Sequence, residues 1–350
     1  MKKLFLILII AFSIVQFYIY SGKSILNLTR ERFIRSNTTS LSDEYRPSTM
    51  RTFQTEQTTP QTTASVPLLG WLKDVHWRPA PKLDIYDYFI SPFDKCKVER
   101  GNITLLVLVK SASGNGQRRE GARQSYIRGA AEKNVSARVV FVIGDSEDQG
   151  ERDNIQKESQ THGDIVGIGF HDNYYNLTIK LIMSFKWAIN SCNSAFVLIT
   201  DDDVVIDLVT LVNDLNAIPQ SERAKIVIGT KGVGFSPHRN TVSKWYIPEE
   251  FYPNKNYPPF PFGHGYVMSH EVVEKLVQVS RETPALIPFD DVYCGILLDK
   301  LGVTILHQPV WFKDRHPVKH EQGYLKIEVP VPQMKTSWET FEVDIEHVKR

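Results

Sequence analysis

Phe196-Val197-Leu198-Ile199-Thr200-Asp201-Asp202-Asp203-Val204 is the stretch of this 350-residue chain that decides the fold. Its short apolar run is rich in β-branched residues, which is typical of a strand buried on both faces in a parallel sheet. In open α/β sheets, ligands bind beyond the carboxyl ends of such strands. Three adjacent carboxylates at that end repel one another, and a hard divalent cation with phosphate oxygens in its shell would offset the repulsion. Alternation along an extended chain places Asp201 and Asp203 on one side and Asp202 on the other. The stretch predicts either a D-x-D metal site or a solvated acidic turn.

Strand and helix patterns alternate on both sides of this stretch. Other apolar runs of strand length lie at 103–109, 139–143, 164–168 and 225–229. Helical periodicity or helix-start signals are found near 123–131, 147–161, 180–190, 208–215, 269–279 and 289–301. This alternation predicts an α/β domain with a mostly parallel central sheet flanked by helices.

The first 95 residues differ in composition from the rest of the chain. Residues 4–20 are almost wholly apolar and have lysines on both flanks, and residues 1–3 precede them. We predict an uncleaved signal-anchor helix with a cytoplasmic amino end, and a cleaved signal peptide is the alternative. Residues 21–95 form a stem, in which a Ser-, Thr-, Gln- and Pro-rich spacer leads into an aromatic segment. Residues 96–350 remain as the main folded domain, which is large enough for a full core.

Charge and cysteine content exclude two classes of function. The net charge of +1 shows no electrostatic footprint for nucleic acid. The three cysteines, Cys96, Cys192 and Cys294, have a spacing that fits no zinc site. They allow at most one disulfide within the chain, and the spacing does not say which pair forms it.

Two further segments have residues suited to chemistry. The first runs from Lys244-Trp245 to Gly263-His264-Gly265-Tyr266 and is rich in aromatic residues, prolines and glycines. It predicts a rigid loop without regular secondary structure, whose rings either stack on the apolar faces of sugars or only brace the packing. The second, Phe289-Asp290-Asp291-Val292, opens a helix. Its acids are either a second carboxylate site or simple partners of the helix dipole.

Taken in order, these segments resemble a known family, the β-1,3-glycosyltransferases, which include β-1,3-galactosyltransferases and β-1,3-N-acetylglucosaminyltransferases. The motifs that carry the resemblance are Arg123-x-x-x-Ile127-Arg128, Val140-Phe141-Val142-Ile143-Gly144, Glu158-x-x-x-His162-Gly163-Asp164-Ile165, Phe170-x-Asp172-x-Tyr174-x-Asn176-Leu177-Thr178-x-Lys180, Asp201-Asp202-Asp203-Val204, Lys244-Trp245, Tyr257-Pro258, Gly263-x-Gly265-Tyr266 and Asp291-Val292-Tyr293-x-Gly295.

The resemblance implies a GT-A-type fold on a single-pass type II Golgi membrane stalk, with the main domain in the lumen. It implies an inverting, Mn²⁺-dependent transfer of galactose or an N-acetylhexosamine from a UDP-sugar to a glycan acceptor on protein or lipid, in β-1,3 linkage. The implied metal ligands are Asp203, Asp201 and His316. The implied nucleotide-binding residues are Arg123, Arg128, Lys180, Asp201 and Asp202. The implied substrate-binding residues are Lys244, Trp245, Gly263, Gly265 and Tyr266. Asp291 is the implied general base, with Asp290 as the second candidate.

Three departures from the family pattern are present, and two of them, the missing Thr-Trp and the missing histidine, support a second hypothesis. The Thr-Trp expected shortly after Arg128 is missing, because Gly129-Ala130 follows instead. The usual Glu-Asp-Val is Asp290-Asp291-Val292, and the carboxy-terminal histidine has no clean match, so that His316 is only the best available position. The alternative is therefore a catalytically silent relative that binds glycans or assists a partner transferase.

Overall fold

The computed structural model describes residues 83–97, 103–285, 287–308, 312–313 and 323–348, and of 312–313 and 342–348 only the backbone. These residues all belong to one structural unit, which spans residues 66–350. The predicted signal-anchor at residues 4–20, most of the 21–95 stem and His316 lie outside the described residues. Within the described ranges, no helix combines the length and the apolar character needed to cross a membrane.

The strands of the described chain form two sheets. The strands are β1 (Tyr88–Ile90), β2 (Ile103–Lys110), β3 (Ala137–Asp145), β4 (Ile165–His171), β5 (Ser194–Asp201), β6 (Val205–Ile206), β7 (Val227–Gly232), β8 (Phe260–Ser269), β9 (Leu306–His307), β10 (Phe312–Lys313) and β11 (Leu325–Lys326). Among the described residues, the larger sheet has eight strands in the order β1-β4-β3-β2-β5-β8-β7-β9, and the smaller has the order β10-β11-β6.

The centre of the larger sheet is parallel. Strands β4, β3, β2 and β5 pair in parallel register, as β7 and β9 do. Strand β8 lies antiparallel between β5 and β7, and β1 pairs antiparallel with β4 at the edge. The predicted α/β class with a mostly parallel central sheet is confirmed.

Helices connect most of these strands. They are α1 (Gly116–Ala122), α2 (Arg128–Glu132), α3 (Gln149–His162), α4 (Leu177–Ser191), α5 (Leu208–Ala217), α6 (His270–Ser280), α7 (Asp290–Lys300) and α8 (Met334–Val348). A π-helical segment, Arg123–Ile127, joins α1 to α2, so the predicted helix at 123–131 begins about two turns earlier than its periodicity indicated. Helix α3 begins at the Asp148 cap, whose side chain accepts from the Glu151 N–H, and ends at Gly163 in the left-handed region.

Strand β2 shows how the sheet divides the core. All eight of its side chains are buried, which explains a continuous apolar run in place of an alternating one. Leu106 and Leu108 pack in one cluster together with side chains of α4, α6 and α7. Leu105 and Val107 pack in the opposite cluster together with side chains of α1, α5 and α8. Helices therefore cover both faces of the sheet, and ligands have access at the strand ends.

The prediction of an irregular loop from Lys244 to Tyr266 is wrong beyond Pro259, because Phe260–Ser269 is strand β8. Tyr266 and Met268 enter one core cluster and Val267 enters the other. Burial on both faces, between two partner strands, outweighs the low strand propensity of the glycines and of Pro261.

One disulfide joins Cys96, in the segment before β2, to Cys192 at the end of α4. Cys294 is a buried free thiol in α7. The structure thus selects one of the three pairings that the sequence left open.

Candidate active site

Lys110 lies at the centre of the candidate site. It is the last residue of β2, and strand pairing sets it beside Asp201, the last residue of β5. Its ammonium nitrogen is 3.0 Å from Asp201 Oδ1 and 2.6 Å from Asp290 Oδ2, and it donates a 3.3 Å hydrogen bond to the Gly263 carbonyl. One buried cation therefore joins the ends of two parallel strands, the start of β8 and the amino end of α7.

The carboxylates around Lys110 keep it charged. Its side chain is only 7% exposed. Burial alone would lower the pKa of Lys110, but Asp201 and Asp290 raise it above its ordinary value. The ammonium therefore carries its charge throughout the physiological pH range and offsets the repulsion among the acids on both sides.

Asp202 holds the loop that follows β2. It accepts hydrogen bonds from Ser111 Oγ (2.7 Å), Asn115 Nδ2 (2.8 Å) and Arg118 Nη1 (2.9 Å). Arg118 Nη1 is also 3.3 Å from Asp203 Oδ2. The predicted alternation, with Asp203 on the side of Asp201 and Asp202 opposite, is correct only in part: β5 ends at Asp201, and the next two acids share Arg118 across a turn.

Two of the three acids keep access to solvent. The side chains of Asp201 and Asp203 are 37% and 27% exposed, whereas that of Asp202 is 7% exposed. Burial raises the pKa of Asp201 above its ordinary value, and Asp290 and Asp203 add to the rise against the lowering effect of Lys110. Over the described part of the chain, no group of three or more His, Cys, Asp or Glu side chains is placed to hold a metal ion. The oxygens open to an incoming cation are those of Asp201 and Asp203.

The adjacent acids of α7 have different environments. Asp290 is 4% exposed and forms the ion pair with Lys110. Asp291 is partly exposed and packs against Gly263, where a methyl group on the glycine would lie 3.4 Å from Asp291 Oδ2. Burial raises the pKa of Asp291 to about 7, with Asp290 adding to the rise and Lys110 opposing it. A carboxylate with a pKa near neutrality is suited to general-base work, and the assignment of Asp291 as the base, with Asp290 as the second candidate, remains a prediction.

Arg123 and Arg128, predicted near the nucleotide, have acidic partners within the protein. Arg123 binds Glu158 (2.7 Å) and Asp164 (2.8 Å) and is stacked over Phe141. Arg128 is 57% exposed and pairs with Glu132 one turn along α2. Their contact with a nucleotide remains a prediction.

Lys180 holds the loop after β2 in place through a hydrogen bond to its backbone. Its ammonium group is buried, lies 2.8 Å from Asp172 Oδ1 and donates to the Ser111 carbonyl at 2.6 Å. Burial lowers the pKa of Lys180, and Asp172 partly restores it. These contacts orient the loop that holds Asp202, so Lys180 acts on this site through the backbone; direct contact with a nucleotide remains a prediction.

The predicted substrate-binding residues fall into two groups. Lys244 and Trp245 lie in the loop between β7 and β8, with the Lys244 ammonium 4.5 Å from the Trp245 ring. Gly263 borders Asp291, and Gly265 pairs with Thr200 of β5. Tyr266 is fully buried, which corrects its assignment as a substrate contact: the alternation along β8 directs its ring into the core.

Three residues to which the sequence assigned no role complete the site: Lys110 and Arg118, which no motif included, and Tyr174, which was named only within a motif. A signal was present for the first, since a lysine that ends an all-buried strand needs a buried partner. Arg118 lies five residues before Arg123, the first arginine of the quoted motif. Tyr174 is 42% exposed, and its hydroxyl accepts a 3.0 Å hydrogen bond from Trp245 Nε1.

Comparison with known proteins shows the family to which the chain is similar. The model of the galactosyltransferase family matches residues 117–309, more than half of the chain. Lactosylceramide 1,3-N-acetyl-beta-D-glucosaminyltransferase of Xenopus tropicalis is 34% identical over 229 residues, which are 63% of this chain and 59% of that protein. Beta-1,3-galactosyltransferase brn of Drosophila melanogaster is 35% identical over 204 residues, 58% and 62% of the two chains. Beta-1,3-galactosyltransferase 1 of Mus musculus is 31% identical over 219 residues, 62% and 66% of the two chains. The matches thus span about six-tenths of the length of these relatives.

Solved glycosyltransferase structures share a lower similarity with the chain. A complex of the galactosyltransferase LgtC with donor and acceptor sugar analogues has 9% sequence identity and a TM-score of 0.36, and covers 64% of this chain and 86% of its own. The mannosyltransferase PcManGT from Pyrobaculum calidifontis, with GDP-Man and Mn²⁺, has 17% identity and a TM-score of 0.33, and covers 69% and 62%. On the strength of the sequence match across residues 117–309, this chain belongs to the galactosyltransferase family.

Proposed function

We propose that this chain is an inverting glycosyltransferase of GT-A type that moves galactose or an N-acetylhexosamine from a UDP-sugar to a glycan acceptor in β-1,3 linkage. Family membership supports glycosyl transfer, and the printed names of the relatives, 1,3-N-acetylglucosaminyltransferase and β-1,3-galactosyltransferase, supply the linkage and the sugar classes. The observation that carries the proposal is a site with two acidic ends. Asp201 and Asp203 lie at one end, Asp291 lies at the other, and buried Lys110 is placed between Asp201 and Asp290.

The first acidic end has donors that suit Mn²⁺. Carboxylate oxygens are hard ligands, and those of Asp201 and Asp203 are partly open to solvent. Because these two carboxylates would fill only part of a Mn²⁺ coordination shell, diphosphate oxygens and water would complete it. A bound Mn²⁺ would act there as a Lewis acid toward the departing diphosphate. Arg118, already in contact with Asp202 and Asp203, would bind a phosphate oxygen as the charge on the leaving group grows.

The second end would activate the acceptor. The acceptor hydroxyl oxygen attacks the anomeric carbon and forms the new C–O bond while the bond to the diphosphate oxygen breaks. Asp291 takes the hydroxyl proton, which leaves UDP and a product inverted at the anomeric centre. A base with a pKa near 7 is largely deprotonated above neutral pH and still basic enough to accept that proton. Asp290, neutralised by Lys110, holds the amino end of α7 in place for this step.

A direct assay tests the proposal. Full-length protein is incubated with Mn²⁺, each of UDP-galactose, UDP-N-acetylglucosamine and UDP-N-acetylgalactosamine, and a panel of galactose- and N-acetylhexosamine-terminated acceptors. We expect UDP release that depends on one donor and one acceptor class, and a β-1,3 product by NMR. No acceptor-dependent UDP release across the panel would contradict transferase activity.

The ion pairs of Lys110 and Arg118 support a second candidate function. In it the chain is a catalytically silent relative that binds glycans or assists a partner transferase. Lys110 and Arg118 already satisfy the three consecutive aspartates, as they would in a site that no longer needs a metal. Saccharide binding without UDP release in the same assay would favour this candidate.

We also propose that the chain is a type II Golgi membrane protein anchored by residues 4–20, with the main domain in the lumen. The apolar run with flanking lysines supports this proposal. Cellular protein should keep its amino terminus and need detergent for extraction. Mature protein that begins near residue 21 and is recovered from the medium would contradict the anchor.

A further inference from the structure

Tyr174 is an exposed aromatic residue next to the candidate base. It opens the 3₁₀ turn Tyr174–Asn176, between β4 and α4, where the Asn173 side chain accepts from the Tyr175 N–H. Its ring is 6.0 Å from that of Phe289, the residue before the acids of α7. Partial burial raises the pKa of Tyr174 to about 12, and the charges of Asp291 and Asp290 add to the rise against the effect of the Trp245 hydrogen bond. The hydroxyl therefore stays protonated at neutral pH, on the side of the site where Asp291 lies.

Trp245 is held against this tyrosine. The indole N–H donates to Tyr174 Oη at 3.0 Å, and the Lys244 ammonium lies 4.5 Å from the Trp245 ring and 5.7 Å from the Tyr174 ring. His238 packs on the indole from its own loop, with centroids 5.3 Å apart. The loop between β7 and β8 contains no helix and no extended strand, so the Tyr174 contact links the indole to a turn on the main sheet.

We infer that Tyr174 is a positioning residue that orients Trp245, and that the two rings form a platform for the pyranose ring of a sugar acceptor beside Asp291. This inference deepens the proposed function and rests on it for the transfer step. Pyranose rings have an apolar C–H face that packs well on a flat aromatic surface. Tyrosine and tryptophan also have an O–H or N–H group, so they suit sites with an apolar contact on one side and solvent on the other. The Tyr174 hydroxyl accepts a hydrogen bond from Trp245, so its own proton is available for donation to a sugar oxygen.

If Tyr174 acts by orienting Trp245, loss of its hydroxyl should weaken acceptor binding. Removing the hydroxyl alone, in Tyr174→Phe, keeps the ring but frees the indole. One neutral hydrogen bond supports an effect of about threefold to tenfold on acceptor affinity. The acceptor KM should rise by this factor, whereas the donor KM and the acceptor-independent hydrolysis of the donor should not change.

A double-mutant cycle isolates the contact. Tyr174→Phe and Trp245→Phe should each raise the acceptor KM, and the double variant should do so by no more than the larger single effect. Tyr252→Phe is the matched control, since its hydroxyl donates to the Asn256 carbonyl within the same loop and should leave the acceptor KM unchanged. An unchanged acceptor KM in Tyr174→Phe, independent effects in the double variant, or an equal effect in Tyr252→Phe would overturn the inference.

A saccharide-binding experiment tests the platform independently of the transfer reaction. Lactose and methyl β-N-acetylglucosaminide are titrated into the full chain by calorimetry in the presence of UDP and Mn²⁺. Binding of either saccharide that weakens about threefold to tenfold in Tyr174→Phe supports the platform, even if the wild type releases no UDP. In that case only the proposed activity fails. Binding of neither saccharide to the wild type, or equal binding by the variant, would overturn the platform.

Discussion

Replacement of the buried Lys110 by methionine should destabilise the fold strongly. Methionine keeps most of the side-chain volume, so the change removes the charge and the donors with little loss of packing. It leaves the carboxylates of Asp290 and Asp201 without their cation. The effect isolates the electrostatic role of a residue whose partner lies 180 positions away in the sequence.

The two contacts of Lys110 contribute unequally. The Asp290 side chain is 6% exposed, and removal of one partner from such a buried pair costs about 3–5 kcal/mol because the other charge is left uncompensated. The Asp201 side chain is 37% exposed, so solvent screening limits its contribution to about 0–1 kcal/mol. We therefore expect Lys110→Met to lower the free energy of unfolding by about 3–5 kcal/mol, a large share of the roughly 5–15 kcal/mol typical of a domain.

The loss should depend on pH. Asp291 has a folded-state pKa of about 7, which Lys110 lowers, so the variant should raise it further. A carboxyl whose folded pKa exceeds its unfolded value binds more protons when folded, so its contribution to stability falls as pH rises from the unfolded pKa through the folded one. The deficit of Lys110→Met relative to wild type should therefore be greater at pH 8 than at pH 5.5.

Urea denaturation followed by tryptophan fluorescence at both pH values measures this effect. Lys275→Met is the matched control, since Lys275 pairs with Glu271 on the surface of α6, where solvent screening makes the effect on the free energy of unfolding much smaller. Adding Asp290→Leu to Lys110→Met should restore much of the stability, because it removes the uncompensated charge. A loss below about 1 kcal/mol in Lys110→Met, equal at both pH values, would refute the assignment of Lys110 as the buried counter-ion.

Four further outcomes are expected. Asp203→Ala should abolish transfer and Mn²⁺-dependent UDP binding with the fold intact by circular dichroism; unchanged UDP affinity by calorimetry would contradict its role as a ligand. Asp291→Asn should keep donor binding and lose about 10²–10⁴-fold in transfer rate, whereas Asp299→Asn at the exposed end of the same helix should not. In the wild type kcat/KM should rise with pH and level off above about 7, as Asp291 loses its proton, and a flat profile through that range would exclude Asp291 as the base. Cys192→Ser, which opens a disulfide spanning 96 residues, should cost about 4–5 kcal/mol in thermal or urea unfolding, against about 1 kcal/mol for Cys294→Ala; equal losses would show that the bridge adds nothing.

The sequence by itself determined the parallel core of the sheet. The continuous apolar runs of β2, β3 and β5 predict strands buried on both faces, and the structure buries them so. Helix α7 begins where the paired acids predict and ends where Gly302 takes the left-handed conformation. These elements depend on neighbours within a few residues, and local periodicity and capping are therefore sufficient to predict them.

Only the tertiary structure decided how the site is assembled. Lys110 meets Asp290 because β2 ends and α7 begins at the same edge of the sheet, and no local pattern encodes that meeting. The Cys96–Cys192 pairing and the hydrogen bond between Trp245 and Tyr174 likewise join distant segments. Residues 260–269 form strand β8 despite the low strand propensity of their glycines and of Pro261, because they are buried between β5 and β7. Contacts between remote residues depend on the packing of the whole domain, which is why the sequence could indicate the acids of this site but not the cations that hold them.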